Sequence, residues 1–247
     1  MSIVENSNLQ NIDDVKVSIA IPTYTDQTQD GYKNLLVLIN SIELQNHKNL
    51  EIVISDHSLE SNDIELYCNS KNIKLDIKYF RNLEDKGFWP SNLNNAIKHC
   101  SGQLIKLMLQ DDFFISPFSL TRIVESYLEN KFSWAAVGAL HTRDYKTYYN
   151  KIIPHYSDEV YLGINKLGGP SCIVIKNDNE KLYFDKYLNW MGDCDYYRKM
   201  NEKYGAPHII QDPLIAYKQW YGQFSNTMSN EVKNKEMDLV RSKYEKR

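Results

Sequence analysis

The sequence predicts an α/β protein: a single Rossmann-like domain with a mostly parallel central sheet, flanking helices and a C-terminal helical tail. Three observations predict it. Short β-rich apolar runs alternate with segments of helical periodicity through the first half of the chain. The connections between them are short, with no repeat, low-complexity tract or long linker. A cluster of polar residues directly follows most of the early strands, where parallel sheets bind their ligands.

Residues 1–14 are polar and aperiodic and read as a flexible leader. Val15 to Ile21 alternates and is stopped by Pro22, which gives the first strand. A polar loop, Thr23 to Gly31, leads to Leu35, Leu36, Leu38, Ile39 and Ile42, the stripe of a helix. Leu50 to Ser55 is a short strand ending at Asp56, residues 60–70 read as helical, and Ile73 to Phe80 is a third strand. The next helix, Pro90 to His99, sets Leu93, Ala96 and Ile97 on one face; the turn Ser101-Gly102 then opens strand four, Leu104 to Leu109. Alternation of this kind implies βαβ units. Later come a helix over 117–130, a strand from Trp134 to Leu140, a Tyr-rich stretch to about residue 162, and a strand from Ser171 to Ile175 after the turn Gly168-Gly169-Pro170. A helix from Gly192 to Tyr204 precedes two short strands, Ile209-Ile210 and Leu214 to Tyr217. The charged tail from 228 onward reads as a helix docked on its own domain through Val232, Leu239 and Val240.

Composition narrows the function classes. With 32 acids against 29 bases the formal charge is −3, which disfavours nucleic acid as a partner, since phosphate binding calls for a basic excess. Cys68, Cys100, Cys172 and Cys194 are far apart and form no Cys-x-x-Cys pair, so they read as reduced thiols rather than a zinc or redox centre. No apolar run approaches the roughly 20 residues that span a bilayer, and the N-terminus has no signal pattern. The expectation is a cytoplasmic protein without a transmembrane segment.

Four places could carry chemistry. Gln110-Asp111-Asp112 puts two acids directly after an apolar strand and before Phe113-Phe114. Carboxylates at the end of a buried strand need a cationic partner, and a divalent metal with diphosphate oxygens would supply one; solvated turn acids are the plainer reading. Asp56, with Ser58, could accept from a nucleobase or a sugar hydroxyl, or simply form an Asx turn. Asp193 falls in the first turn of its helix and could serve there as an N-cap alone. It does not share a helix face with Asp195, and only Asp193 is expected to enter a site. Lys86-Gly87, followed by Asn92, could approach a phosphate or form an ordinary loop.

Taken in order, these elements resemble glycosyltransferase family 2 with a GT-A fold, over roughly residues 15–225. The resemblance is carried by Val17-Ser18-Ile19-Ala20-Ile21-Pro22-Thr23-Tyr24, Glu51-Ile52-Val53-Ile54-Ser55-Asp56, Lys86-Gly87 through Asn92-Leu93-Asn94-Asn95-Ala96, Ser101-Gly102-Gln103-Leu104-Ile105-Lys106, Gln110-Asp111-Asp112 and Gly192-Asp193-Cys194-Asp195. It implies a nucleotide-binding half over 15–112, an acceptor-binding half over 113–225 and a tail over 226–247. Pro22, Thr23, Tyr24, Asp56, Ser58, Lys86, Gly87, Asn92 and Asp111 would hold the donor, a UDP-sugar being favoured. Asp112 would be the direct ligand of Mn²⁺ or Mg²⁺, assisted by Asp111, and Asp193 the base that deprotonates an acceptor hydroxyl during an inverting displacement. Ser171, Trp190, Trp220 and Gln223 are candidates for the acceptor and sugar side.

Two departures stand out. Gln110 replaces an acid common in the family, and the region Tyr217 to Ser225 has no late histidine for the metal. A glycan or similar hydroxyl compound is the expected acceptor. The alternatives are a sugar nucleotidyltransferase, disfavoured by the absence of a basic residue from Thr23 to Asp30; an inactive carbohydrate-binding relative; and a glycosyltransferase acting on a modified DNA base.

Overall fold

The computed structural model describes residues 11–59, 61–70 and 74–245. The chain opens with parallel βαβ units: β1 (Val17–Thr23), α1 (Asp30–Glu43), β2 (Leu50–Asp56), α2 (Asp63–Cys68), β3 (Ile77–Arg81), α3 (Trp89–His99) and β4 (Leu104–Leu107). There follow β5 (Asp112–Phe114), α4 (Ser119–Asn130), β6 (Trp134–Thr142), β7 (Tyr148–Ile152), β8 (Ile173–Lys176), α5 (Gly192–Tyr204), β9 (His208–Lys218), α6 (Phe224–Thr227) and α7 (Asn230–Tyr244). All nine strands described join one sheet, in the order β3-β2-β1-β4-β8-β6-β9-β5, with β7 also paired to β6. β3, β2, β1 and β4 are mutually parallel, as are β6 and β9. β8 enters antiparallel between β4 and β6, and β5 antiparallel to β9.

Strand periodicity sorts the core into two layers. Val17, Ile19, Ile21, Ile52, Ile54 and Leu104 meet Leu35, Leu38 and Ile42 of α1 and Leu120, Ile123 and Val124 of α4. On the opposite face Ala20, Val53, Ile105 and Leu107 meet Leu93, Ala96 and Ile97 of α3, Tyr196, Tyr197 and Met200 of α5, and Val240 of α7. Such near-continuous apolar strands suit a sheet covered on both faces.

Several expectations change. Pro22 does not stop β1 but lies inside it, opposite Ser55. Its missing N–H falls on the side of β4, which has already ended at Leu107 opposite Ala20, so no ladder bond is lost. The two short strands after α5 are one strand, β9, running through Pro213. The register shifts around Gly138 absorb the proline, and a Cβ on Gly138 would collide with the carbonyls of Gln211 and Asp212. Ser171 and Cys172 belong to a 3₁₀ turn ahead of β8. Of the leader, residues 1–10 lie outside the described residues, as do Glu60 and Ile73 at the expected starts of the second helix and third strand. Ile12–Asp14 forms a 3₁₀ turn capped by Asn11. In α7, Val240 is buried as expected, but Val232 and Leu239 are exposed; Glu236 and Tyr244 take their place. The docked stripe therefore recurs every four residues, 236, 240 and 244.

The amino-terminal edge of the sheet is tied by one carboxylate. Glu51, fully buried on β2, accepts from Lys16 Nζ (2.8 Å), Lys78 Nζ (2.8 Å), Ser18 Oγ (2.6 Å), Ser101 N–H (2.6 Å) and Ser101 Oγ (2.8 Å). Burial alone would raise its pKa, but the two ammonium groups and these hydrogen bonds hold it well below the ordinary 4.5. Removing one side of a buried, paired charge costs about 3–5 kcal/mol, and Glu51→Ala is expected to lose that much in urea denaturation. Because the folded pKa is depressed, the stabilisation is present above the ordinary value and fades as pH falls through the folded one. Glu51→Gln should accordingly show a flatter stability profile than wild type below about pH 5. Equal slopes would refute the assignment.

Candidate active site

The parallel strands present their carboxyl ends along one edge, where Thr23, Asp56 and Arg81 are in register. Asp56 is fully buried and its carboxylate is already occupied. Oδ1 accepts from Ser58 N–H (2.8 Å) and Ser58 Oγ (2.6 Å), and Oδ2 from Tyr79 OH (2.8 Å), with Arg81 Nη1 at 3.5 Å. Ser58 Oγ in turn accepts from Thr25 N–H (2.9 Å). Asn92 donates to the Thr23 carbonyl (3.0 Å) and accepts from Ser55 Oγ (2.6 Å). Next to these residues, and tied to them by the Thr25–Ser58 bond, Tyr24, Thr25, Asp26, Gln27, Thr28 and Leu59 line a pocket of about 340 Å³. Lys86 is exposed, and Gly87 adopts φ +85° in the adjacent loop, a conformation suited to glycine.

Gln110 is a clamp. Its side-chain oxygen accepts the Tyr24 N–H (2.7 Å) and its amide donates to the Tyr24 carbonyl (2.9 Å), so it pairs with the backbone as a second strand would. Gly31 completes the joint, since a Cβ there would strike the Tyr24 carbonyl. Gln110 thus ties the loop after β1 to the turn that follows β4.

The acidic pair follows. Asp112, only 3% exposed, is paired in β5 with Tyr217 of β9, and its Oδ2 has no hydrogen-bond partner. Burial raises its pKa well above the ordinary value and Asp111 adds to the rise; the Ser171 hydroxyl and Lys106 offset only part of it. Asp111 is also raised by burial, partly countered by Trp220, whose Nε1 donates to Asp111 Oδ2 (2.9 Å). Beneath them lies Lys106, wholly buried in β4. Its ammonium donates to the Ser171 and Leu107 carbonyls, and burial brings its pKa down to about 7. Ser171 Oγ accepts the Leu109 N–H (2.8 Å), fixing the turn into the acids.

An orphaned carboxylate oxygen next to a second carboxylate fits a hard divalent cation. No third His, Cys, Asp or Glu joins them in a metal-binding group among the described residues. The pair therefore suits an ion that takes its remaining ligands from phosphate and water, as Mg²⁺ does, and not an all-protein cage.

Asp193 stands in the first turn of α5. Its Oδ1 accepts the Cys194 N–H (2.8 Å) and its Oδ2 accepts from Asn165 Nδ2 (2.8 Å). Burial raises its pKa against these hydrogen bonds. Asn165 also donates to the Gly168 carbonyl (2.9 Å), which receives Tyr197 OH as well (3.0 Å). Gly169 N–H donates to Tyr217 OH (2.7 Å), and Tyr217 is the strand partner of Asp112. A short polar chain thus joins Asp193 to the acidic pair. Asp195, by contrast, faces away: fully buried, it is held by Lys199 (2.6 Å), Lys243 (2.6 Å) and Tyr244 OH (2.8 Å).

Of the acceptor-side candidates, Ser171 is fully buried and Trp190 is 36% exposed with Lys233 over its ring, while Trp220 reaches Asp111 and Gln223 lies half-buried in the same loop. Asn165 and Lys106 were not anticipated. A lysine inside the apolar run Leu104-Ile105-Lys106-Leu107 was a readable signal; Asn165 had none. A raised carboxylate pKa means that folding favours the protonated form. The contribution of Asp112 to stability is complete below the ordinary 3.8 and is lost as pH rises through the raised value. In chelator at about pH 7, Asp112→Asn should therefore melt higher than wild type, the gap closing toward about pH 4. A lower melting point for the variant at neutral pH would contradict this account.

Comparison with known proteins places this geometry. The sequence profile of Glycosyl transferase family 2 matches residues 18–213. The GalNAc(5)-diNAcBac-PP-undecaprenol beta-1,3-glucosyltransferase of Campylobacter jejuni is 31% identical over 101 residues, 41% of this chain and 31% of that protein. S. aureus TarS 1–349 in complex with UDP-GlcNAc superposes with a TM-score of 0.72 at 17% identity, covering 92% of this chain and 66% of that one. The mannosyltransferase PcManGT from Pyrobaculum calidifontis, in complex with GDP-Man and Mn²⁺, gives 0.64 at 14% identity, over 94% and 64%. The chain thus spans about a third of the curated relative and about two thirds of the two structures. At these identities the structures speak for the fold alone. The family profile runs from β1 into β9, and the chain belongs to glycosyltransferase family 2, with the α/β architecture of GT-A type.

Proposed function

We propose that the protein transfers a sugar from a nucleotide-diphosphate donor, a UDP-sugar being favoured, to the hydroxyl of a glycan or similar acceptor, with inversion. The observation that carries the reading is the adjacent pair Asp111 and Asp112, with Asp112 buried and one of its oxygens unpartnered, at the carboxyl ends of the parallel strands and next to the loop lined by Tyr24. Residues 15–112 would hold the nucleotide, residues 113–225 the acceptor, and 226–247 the supporting tail. The relatives support the donor class: TarS is seen with UDP-GlcNAc and PcManGT with GDP-Man.

In this reading the acceptor oxygen attacks the anomeric carbon on the face opposite the diphosphate. The new C–O bond forms as the bond to phosphate breaks, the electron pair leaves with the diphosphate, and the acceptor proton passes to Asp193. Its two oxygens are oriented by the Cys194 N–H and the Asn165 amide, and its raised pKa makes it a stronger base than an exposed aspartate. Asn165 fixes its orientation. Asp112 and Asp111 would hold Mn²⁺ or Mg²⁺, which when bound offsets the charge growing on the leaving diphosphate. Proximity supplies much of the remaining rate.

Thermal stability should be measured with UDP, GDP, dTDP and CDP, with and without Mn²⁺. A nucleotide at 100 times its Kd adds about 2.7 kcal/mol, roughly 5–10 °C for a chain of this size. The expected result is a metal-dependent shift with one nucleotide, abolished in Asp112→Ala. Asp193→Asn should keep that shift but lose transfer by roughly 10²–10⁴-fold. A folded protein that responds to no nucleotide diphosphate would end the transferase reading.

A further inference from the structure

The C-terminal helix does more than cover the core. Glu236, at mid-length on α7 and 8% exposed, accepts three successive backbone N–H groups: Asn189 on Oε1 (3.0 Å), and Trp190 (2.7 Å) and Met191 (3.0 Å) on Oε2. Those residues are the last three before α5, and Asp193 is its second residue. The same short segment is held from the other side. The Trp89 indole donates to the Asn189 carbonyl (2.8 Å), and the Asn189 amide donates to the Gly87 carbonyl (3.3 Å). One carboxylate therefore anchors the segment that lies between the loop of Lys86 and Gly87 and the helix of Asp193.

The choice of group is informative. Three adjacent N–H donors ahead of a helix form a concave anion site, and the positive end of α5 adds to it. Apolar packing would bury the segment without orienting it, whereas a carboxylate fixes three donor directions at once. Two further contacts from α7 act on the same parts. Lys233 lies 4.3 Å over the Trp190 ring, and Lys243 and Tyr244 hold Asp195 two residues beyond Asp193.

We propose that Glu236 is a positioning residue for sugar transfer, setting the place of Asp193 and Trp190 through the backbone of Asn189–Met191. This rests on the reading of Asp193 as the base. A displacement of about 1 Å at a reacting group can cost roughly 10²-fold in rate, so loosening this segment reaches the chemistry without touching the nucleotide strands.

The test uses the full chain, with water as the acceptor. The donor is whichever of UDP-GlcNAc, UDP-glucose and GDP-mannose stabilises the wild type most. Glu236→Ala should lower kcat for donor hydrolysis about tenfold or more, with KM within about twofold, because the loop after β1, Asp56 and the acidic pair lie on other elements and the segment meets the donor side only at the Gly87 carbonyl. Glu236→Gln can still accept two of the three N–H groups and should fall between. Hydrogen exchange should rise in residues 187–193 and not in β1, β2 or β4. Val240→Ala removes a buried contact of the same helix and is expected to lower the melting temperature while leaving kcat near wild type. Equal loss of kcat in Val240→Ala and Glu236→Ala, or a loss expressed in KM, would reduce Glu236 to an anchor of the fold and overturn the proposal. An impaired Asp193→Asn beside an unimpaired Glu236→Ala sinks the positioning role alone. Full activity in Asp193→Asn, or no turnover by the wild type, sinks the underlying reading and this proposal with it.

Discussion

The register of the four parallel strands is the constraint on which the site depends, and Glu51 supplies it. Apolar strands specify which face is buried, but a slip of two residues preserves every face and is invisible to hydrophobic packing. A buried carboxylate with directional partners removes that degeneracy. Glu51 binds Lys16 just ahead of β1, Ser18 from β1, Lys78 from β3 and Ser101 from the approach to β4, while Gly102 N–H donates to Ser18 Oγ at 2.7 Å. With the amino-terminal edge pinned, the other ends have no freedom in length. Thr23, Asp56 and Arg81 must align, and Ala20 must face Leu107, three residues before Gln110.

That alignment is set against the cost of the acids it delivers. At the amino-terminal edge two ammonium groups satisfy a carboxylate; at the carboxyl edge two adjacent acids have a single buried lysine nearby, whose charge offsets only part of the burial of Asp112, and one Asp112 oxygen is left without a partner. Incomplete compensation in a low-dielectric setting destabilises the ligand-free protein. The neighbours are arranged to tolerate it. Lys106 gives its protons to carbonyls of Leu107 and Ser171, Gln110 holds Tyr24, and Trp220 covers Asp111. Binding a cation and a diphosphate would use the charge that folding leaves unpaired, which is how a site can be destabilising alone and strong when occupied.

Local pattern made much of this legible. The helices at Leu35 and Leu93 and the helix from Gly192 to Tyr204 announce themselves by spacing, and the first strands by alternation and by the polar residues that end them. Long-range pairing was hidden. β5 is three residues long and exists because β9 lies beside it, β7 is an exposed strand borrowed by β6, and Pro213 is tolerated only opposite the irregularity at Gly138. In the tail, hydrophobicity pointed to Val232 and Leu239, whereas the buried stripe is built on Glu236, an acid made inexpensive to bury by three backbone donors. The positions of Asp111, Asp112 and Asp193 could be read; the roles of Lys106, Asn165 and Gln110 depend on partners between about 60 and 90 residues away for two of them and on a folded loop for the third.

The two ends of the candidate reaction are therefore joined by the least regular part of the molecule. The turn from Asn165 to Cys172 has no long element of its own, yet it contacts Asp193 through Asn165, Tyr217 through Gly169 and Cys172, and Lys106 and Leu109 through Ser171. Gly168 adopts φ +92°, and a Cβ there would press on Cys172 Sγ and Tyr217 OH, so this crossing point admits little but glycine. In the proposed reaction a base and a leaving-group site would have to keep their separation while charge moves from one to the other. Here the link between Asp193 and the partner strand of Asp112 runs through hydrogen bonds of one short turn, from the Asn165 side chain to Asp193 and from the Gly169 N–H to Tyr217, and such bonds hold direction as well as distance. The regular sheet provides the edge; the irregular turn decides how the acids on it face the helix that carries Asp193.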